Sequence, residues 1–106
     1  MTVHKLVFNL FKHRMKQWIN CDPNRTVSVQ IPFGSTILSA ANQDELICVW
    51  YIPGPSTVQE AMIVVKFLFL EPGMVCEKYT PNQLDYIGAV MFESGQHVVH
   101  AFKVRH

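Results

Sequence analysis

LDYIGAVMFE (84–93), SGQ (94–96) and HVVHAFKV (97–104) follow one another near the C-terminal end of the chain. Both flanking runs are rich in β-branched and aromatic residues, and the linker contains Gly95. That combination predicts a β-hairpin. On a strand successive side chains point to opposite faces. Val98, His100, Phe102 and Val104 therefore share one face of the second run, and His97, Val99, Ala101, Lys103 and Arg105 the other. His97 and His100 point apart and cannot share a metal. His100 reads as a core or interface histidine among apolar neighbours, His97 as a solvated residue near Lys103 and Arg105, and His106 as loose. No HxH, HExxH or carboxylate cluster accompanies them, so no metal site is expected.

Working outward, AMIVVKFLFL (61–70) and ELICVWYIP (45–53) are apolar on both faces, with Lys66 the one charge in the former. Such strands are covered on both sides within their own fold or are buried against another chain. RTVSVQIP (25–32) alternates cleanly, as a strand with one wet face does, and TILSAA (36–41) is a shorter strand. CDPNR, FGS and NQDE (42–45) supply turns. PGPSTVQE (53–60) and EPGMVCEKYTPNQ (71–83) are loops, the first with Ser56–Gln59 and Thr57–Glu60 spaced to cap a short helix. The first twenty residues read two ways. Val3, Leu6, Val7, Leu10, Phe11, Met15, Trp18 and Ile19 recur at helical spacing, while KLVFNLF and MKQWIN nearly alternate, and the reading leans to strand for part of the segment. The expectation is a single domain over 1–106, mainly β: a small antiparallel β-sandwich or barrel of six to seven strands, with one short N-terminal helix as the alternative for its start.

Composition narrows function. Of 106 residues, 49% are hydrophobic and only 16% charged, the opposite of a disordered chain. So little surface charge makes a homo-oligomeric or partner surface a fair expectation. Nine Lys+Arg against eight Asp+Glu leave a net charge of +1, so no global field attracts nucleic acid or an anionic membrane. Three widely spaced cysteines, Cys21, Cys48 and Cys76, suit neither a disulfide scaffold nor a zinc ribbon; a reducing compartment fits them. No signal peptide and no membrane-spanning run is expected.

Catalytic signatures are missing: no GxSxG elbow, no P-loop, no GxGxxG, and no cysteine with a basic neighbour. No catalytic residue and no cofactor are expected, and enzyme activity is not. Two features could hold a ligand or partner. FKHRMKQW (11–18) interleaves Lys12, His13, Arg14 and Lys16 with Phe11 and Trp18, as a single-strand grip would, although its ordinary reading is a solvated amphipathic face. Trp50 and Tyr51, on opposite faces of one strand, are ordinarily packing residues but could wall a flat ring. The candidate ligand- or partner-binding residues are Trp50, Tyr51, His100, Arg14, Arg25 and Arg105, the arginines as phosphate partners.

IPFGSTILSAANQDELICVWYIPGP (31–55) and YIGAVMFESGQHVVHAFKV (86–104) together resemble a family of short uncharacterised proteins of tailed bacteriophages and prophages. Pro32, Gly34, Trp50, Tyr86, Gly88, Gly95, His100 and Phe102 are the matching positions, covering about half the chain; residues 64–83 depart from the pattern. The resemblance implies phage origin, a small β fold, action in the host bacterial cytoplasm and no established activity. From it follow three expectations. The first is an accessory protein that stoichiometrically inhibits a host defence protein, with Trp50, Tyr51 and the exposed part of 61–70 as contacts. The second is an oligomeric sponge for a nucleotide-like small molecule. The third is a minor virion or single-strand-binding protein acting through residues 11–18.

Overall fold

The computed structural model describes residues 1–8, 26–55, 61–73 and 76–105. Seven strands run in chain order: β1 (His4–Phe8), β2 (Thr26–Pro32), β3 (Thr36–Gln43), β4 (Leu46–Ile52), β5 (Met62–Leu70), β6 (Leu84–Phe92) and β7 (His97–Val104). They form two antiparallel sheets, ordered β1-β4-β3 and β2-β5-β7-β6. The expected small antiparallel fold of six to seven strands is therefore a two-sheet sandwich. Part of the N-terminal segment is strand, in β1. The 11–18 segment with Arg14, the candidate Arg25 and the capping pairs at 56–60 lie outside the described residues.

Alternation explains the core. The inward residues of β5 are Val65, Phe67 and Phe69, all essentially inaccessible. They meet Phe8 of β1, whose ring lies 5.7 Å from Phe67 and 5.4 Å from Phe69, together with Ile47 and Val49 of β4. Val90 and Phe92 of β6 and Val99 and Ala101 of β7 complete the layer. Each such phenylalanine contributes roughly 1.5–3 kcal/mol by leaving water, the main force holding the sheets together.

The turns follow local chemistry. Asp44 and Glu45 join β3 to β4 with φ of 55° and 61°, the two positive values a type I′ turn requires. Asn42 Oδ1 steadies them by accepting the Glu45 N–H at 3.0 Å. The β6–β7 connection differs from the three-residue one expected. β6 ends at Phe92, paired with His97, and Glu93 to Gln96 make a four-residue loop with a 3-10 turn. Positive φ at Glu93 and Gly95 turns the chain before the strand can reach Glu93.

β3 and β6 each carry a bulge, at Leu38 and Ile87, and they meet where the two sheets come together. There Asn42 Nδ2 donates to the Met91 carbonyl at 2.8 Å. Gly88, with φ of +148°, lets the backbones touch, since a Cβ on it would stand 2.6 Å from the Ala40 carbonyl oxygen. Gly54 is as constrained: a Cβ there would fall 1.8 Å from the Phe33 oxygen. Its N–H donates to Ser35 Oγ at 3.0 Å, and that hydroxyl donates to the Pro32 carbonyl at 2.6 Å.

Candidate functional site

The outward faces of β4 and β5 are largely apolar, as the two-faced strands implied, yet they differ in what covers them. On the three-stranded sheet, Cys48 of β4 pairs with Val7 and Ala41, and Trp50 with Lys5 and Ser39. Lys5 Nζ donates to Gln43 Oε1 at 2.6 Å. These two residues belong to the strands on either side of β4, so the lysine stem crosses over it and Cys48 is 1% exposed.

The outward face of the four-stranded sheet holds Leu68 and Leu70 of β5, His100 and Phe102 of β7, and Leu84 and Tyr86 of β6. Register pairs Leu68 with Phe102, Phe102 with Tyr86, and Leu70 with His100. The Tyr86 hydroxyl and His100 Nδ1 are 3.0 Å apart. The Tyr86 and Phe102 rings meet edge-on, centroids 5.3 Å apart at 63°. Tyr86 is still 55% exposed.

Residues 76–83, before β6, lie over this face. Leu70, Leu84, Tyr86 and Phe102 floor a cavity of about 390 Å3, and Cys76, Tyr79 and Pro81 roof it. The roof is fastened near its β6 end. Pro81 opens a 3-10 turn whose Thr80 N–H donates to Gln83 Oε1 and whose Gln83 N–H donates to the Thr80 carbonyl, both at 2.9 Å. Arg105 then ties it to the end of β7. Its backbone N–H donates to the Gln83 carbonyl at 2.7 Å, Nη1 to the Asn82 carbonyl at 3.2 Å, and Nε to Asp85 Oδ1 at 2.7 Å.

The candidate residues do not converge. Trp50 is half-buried on the outer face of the three-stranded sheet, while Tyr51 faces the core, 5.7 Å from the His4 ring. His100 stands beside Tyr86 on the other sheet, and the Arg105 guanidinium is engaged by Asp85 and Asn82. His97 is not the solvated neighbour of Lys103 and Arg105 that alternation suggested. It sits at the opposite end of β7, half-buried, with Nε2 bonded to the Glu71 carboxylate and its ring against Phe92. Antiparallel pairing of β5 with β7 brings Glu71, just past Leu70, to the start of β7.

Cys76, Tyr79 and Pro81 were missed because a loop has no periodicity that reveals what it covers. A signal did exist for the floor: Leu84 and Tyr86 on one run, and His100 and Phe102 on the next, share a face by alternation alone. Among the described residues no three His, Cys, Asp or Glu side chains gather where they could hold a metal, and no helix is long and apolar enough to cross a membrane.

Three matching positions of the resemblance, Tyr86, His100 and Phe102, thus form one contact cluster, and Gly88 occupies a close approach between the backbones of β6 and β3. The profile of a domain of unknown function, DUF7352, matches residues 2–106. The chain belongs to the DUF7352 family. No curated protein and no solved structure matches it. DUF7352 is an uncharacterised family, as the resemblance implied, and its match spans both sheets and the loop over the cavity.

Proposed function

We propose that this DUF7352 protein is a phage-encoded, non-enzymatic accessory protein that acts stoichiometrically in the host bacterial cytoplasm by docking on a host protein and inhibiting it. The observation that carries this reading is an apolar strip at the start of β5. Met62 and Val64 point outward from the four-stranded sheet, 42% and 46% exposed, and Phe33, 64% exposed, sits in the adjoining turn. The Phe33 N–H donates to the Ala61 carbonyl at 2.7 Å, and Pro32 pairs with Met62, so the three side chains belong to one neighbourhood. Large apolar side chains grouped on a surface otherwise poor in charge are typical of interaction sites. Among the described residues, β5 before Phe67 pairs with β2 alone, which also suits a partner that adds an extended segment beside it. The phage origin rests on the resemblance of residues 31–55 and 86–104.

Native mass spectrometry of the protein purified gently from bacterial cytosol tests the reading, wild type beside Val64→Lys. A stoichiometric protein partner retained by the wild type and lost from the folded variant is expected. A wild-type protein that carries no partner from any host it infects would overturn it.

A further inference from the structure

We propose that the cavity beneath residues 76–83 is a binding site for an uncharged, planar heteroaromatic molecule bearing a hydrogen-bond donor. It is separate from the docking strip, since Leu70 and Met62 stand at opposite ends of β5.

Size comes first. A volume of about 390 Å3 lies in the range of roughly 300–1,000 Å3 that small-molecule sites occupy. Shape follows from the rings. Tyr86 and Phe102 meet edge-on at 63°, and Tyr79 comes down from the roof, so a flat ring can stack on one aromatic face while its edge meets another.

Charge excludes the commonest alternative. Among the described residues, none of the lining side chains is charged. Among the described residues, the Arg105 guanidinium is engaged by Asp85 and Asn82, and Lys78 Nζ stands over the Tyr79 ring, 5.6 Å from its centre, without lining the cavity. A phosphate in the cavity would meet no charged side chain in this lining, whereas a neutral ring loses little on leaving water. The Tyr86 phenol, on the cavity floor, sets the orientation. Tyr86 Oη and His100 Nδ1 are 3.0 Å apart, and whichever of the two donates, the phenol oxygen keeps a lone pair for a donor on the ligand. The fastened roof and the fully buried Leu68 beside Phe102 make the site preformed, which lowers the ordering cost of binding.

Cys76 reports occupancy, because its thiol lines the cavity and is half-buried, while Cys48 is inaccessible and serves as the internal control. The full chain is treated with iodoacetamide, and labelling is read peptide by peptide with indole, adenine or adenosine monophosphate present. At a concentration about ten times a millimolar dissociation constant, indole and adenine should slow Cys76 labelling about tenfold and leave Cys48 unchanged. The monophosphate should protect at least about threefold less, since its charge goes unanswered. Tyr86→Ala, at a position exposed enough to keep the fold, should reduce protection by either neutral probe to under about twofold; its unfolding midpoint is measured alongside. The proposal fails if neither neutral probe protects Cys76, if the monophosphate protects as well as they do, or if Tyr86→Ala keeps both its stability and full protection.

Discussion

The two sheets share a core but turn different faces to their surroundings. Over the three-stranded sheet the Lys5–Gln43 bridge spans β4, and Cys48 beneath it is 1% exposed. Over the four-stranded sheet, Met62, Val64, Tyr86 and Met91 remain open, and residues 76–83 form one wall of a half-open cavity above Leu70, Leu84 and Phe102. Both sheets are built from strands apolar on two sides. Among the described residues the covers differ: the Lys5 side chain lies over Cys48 in one case, with Val7 left 48% exposed beside it, and residues 76–83 lie over Leu70 and Leu84 in the other. A two-faced strand identifies a surface that will be covered; the cover decides whether that surface becomes a site.

The comparison can be broken where the two sheets touch. Gly88→Ala should cost about 2–4 kcal/mol, because its Cβ would meet backbone at Ala40 and neither bulged strand can retreat without losing pairing. Urea unfolding measures this; a cost under about 0.5 kcal/mol would mean that β3 and β6 are not held together as described.

A smaller change sharpens the open side. Tyr86→Phe keeps the ring against Phe102 and removes the bond to His100, so stability should fall by about 0.5–1.5 kcal/mol. The His100 ring resonances, followed by NMR, should shift with it. No shift at His100 would detach that histidine from the aromatic cluster.

The smallest effect tests the closed side. Lys5→Ala should change stability by no more than about 0.5 kcal/mol, since both bridge ends are exposed. It should nevertheless speed alkylation of Cys48 severalfold, by removing the stem that covers it. An unchanged rate would show that Cys48 is protected by something other than the bridge.

Much of this architecture was legible in the chain. β2 is visible as a run with period two, β6 and β7 as the arms of a hairpin, and β4 and β5 as runs apolar on both faces, whose second faces announced outer surfaces that matter. The site was less legible, for identifiable reasons. Trp50 and Tyr51 are neighbours in sequence, so alternation sends one outward and the other into the core. Pairing order, which no local pattern encodes, puts Trp50 on one sheet and His100 on the other. The bulge at Ile87 interrupts alternation within β6, so the face of Tyr86 cannot be extended along the strand by counting. His97 meets Glu71 through the pairing of β5 with β7, a contact between residues far apart in sequence. The roof residues Cys76, Tyr79 and Pro81 come from a segment whose only sequence signal is that of a loop.

Hydroxyl-radical footprinting of the two outer faces, in bacterial cytosol and after purification, addresses the central claim most directly. Met62 on the four-stranded sheet and Trp50 on the three-stranded sheet report the faces through oxidisable side chains. If the four-stranded sheet carries the docking surface, Met62 is oxidised more slowly in the cytosol than in the purified protein, while Trp50 is unchanged. Protection of Trp50 with Met62 unaffected would contradict the account and move the functional surface to the other sheet.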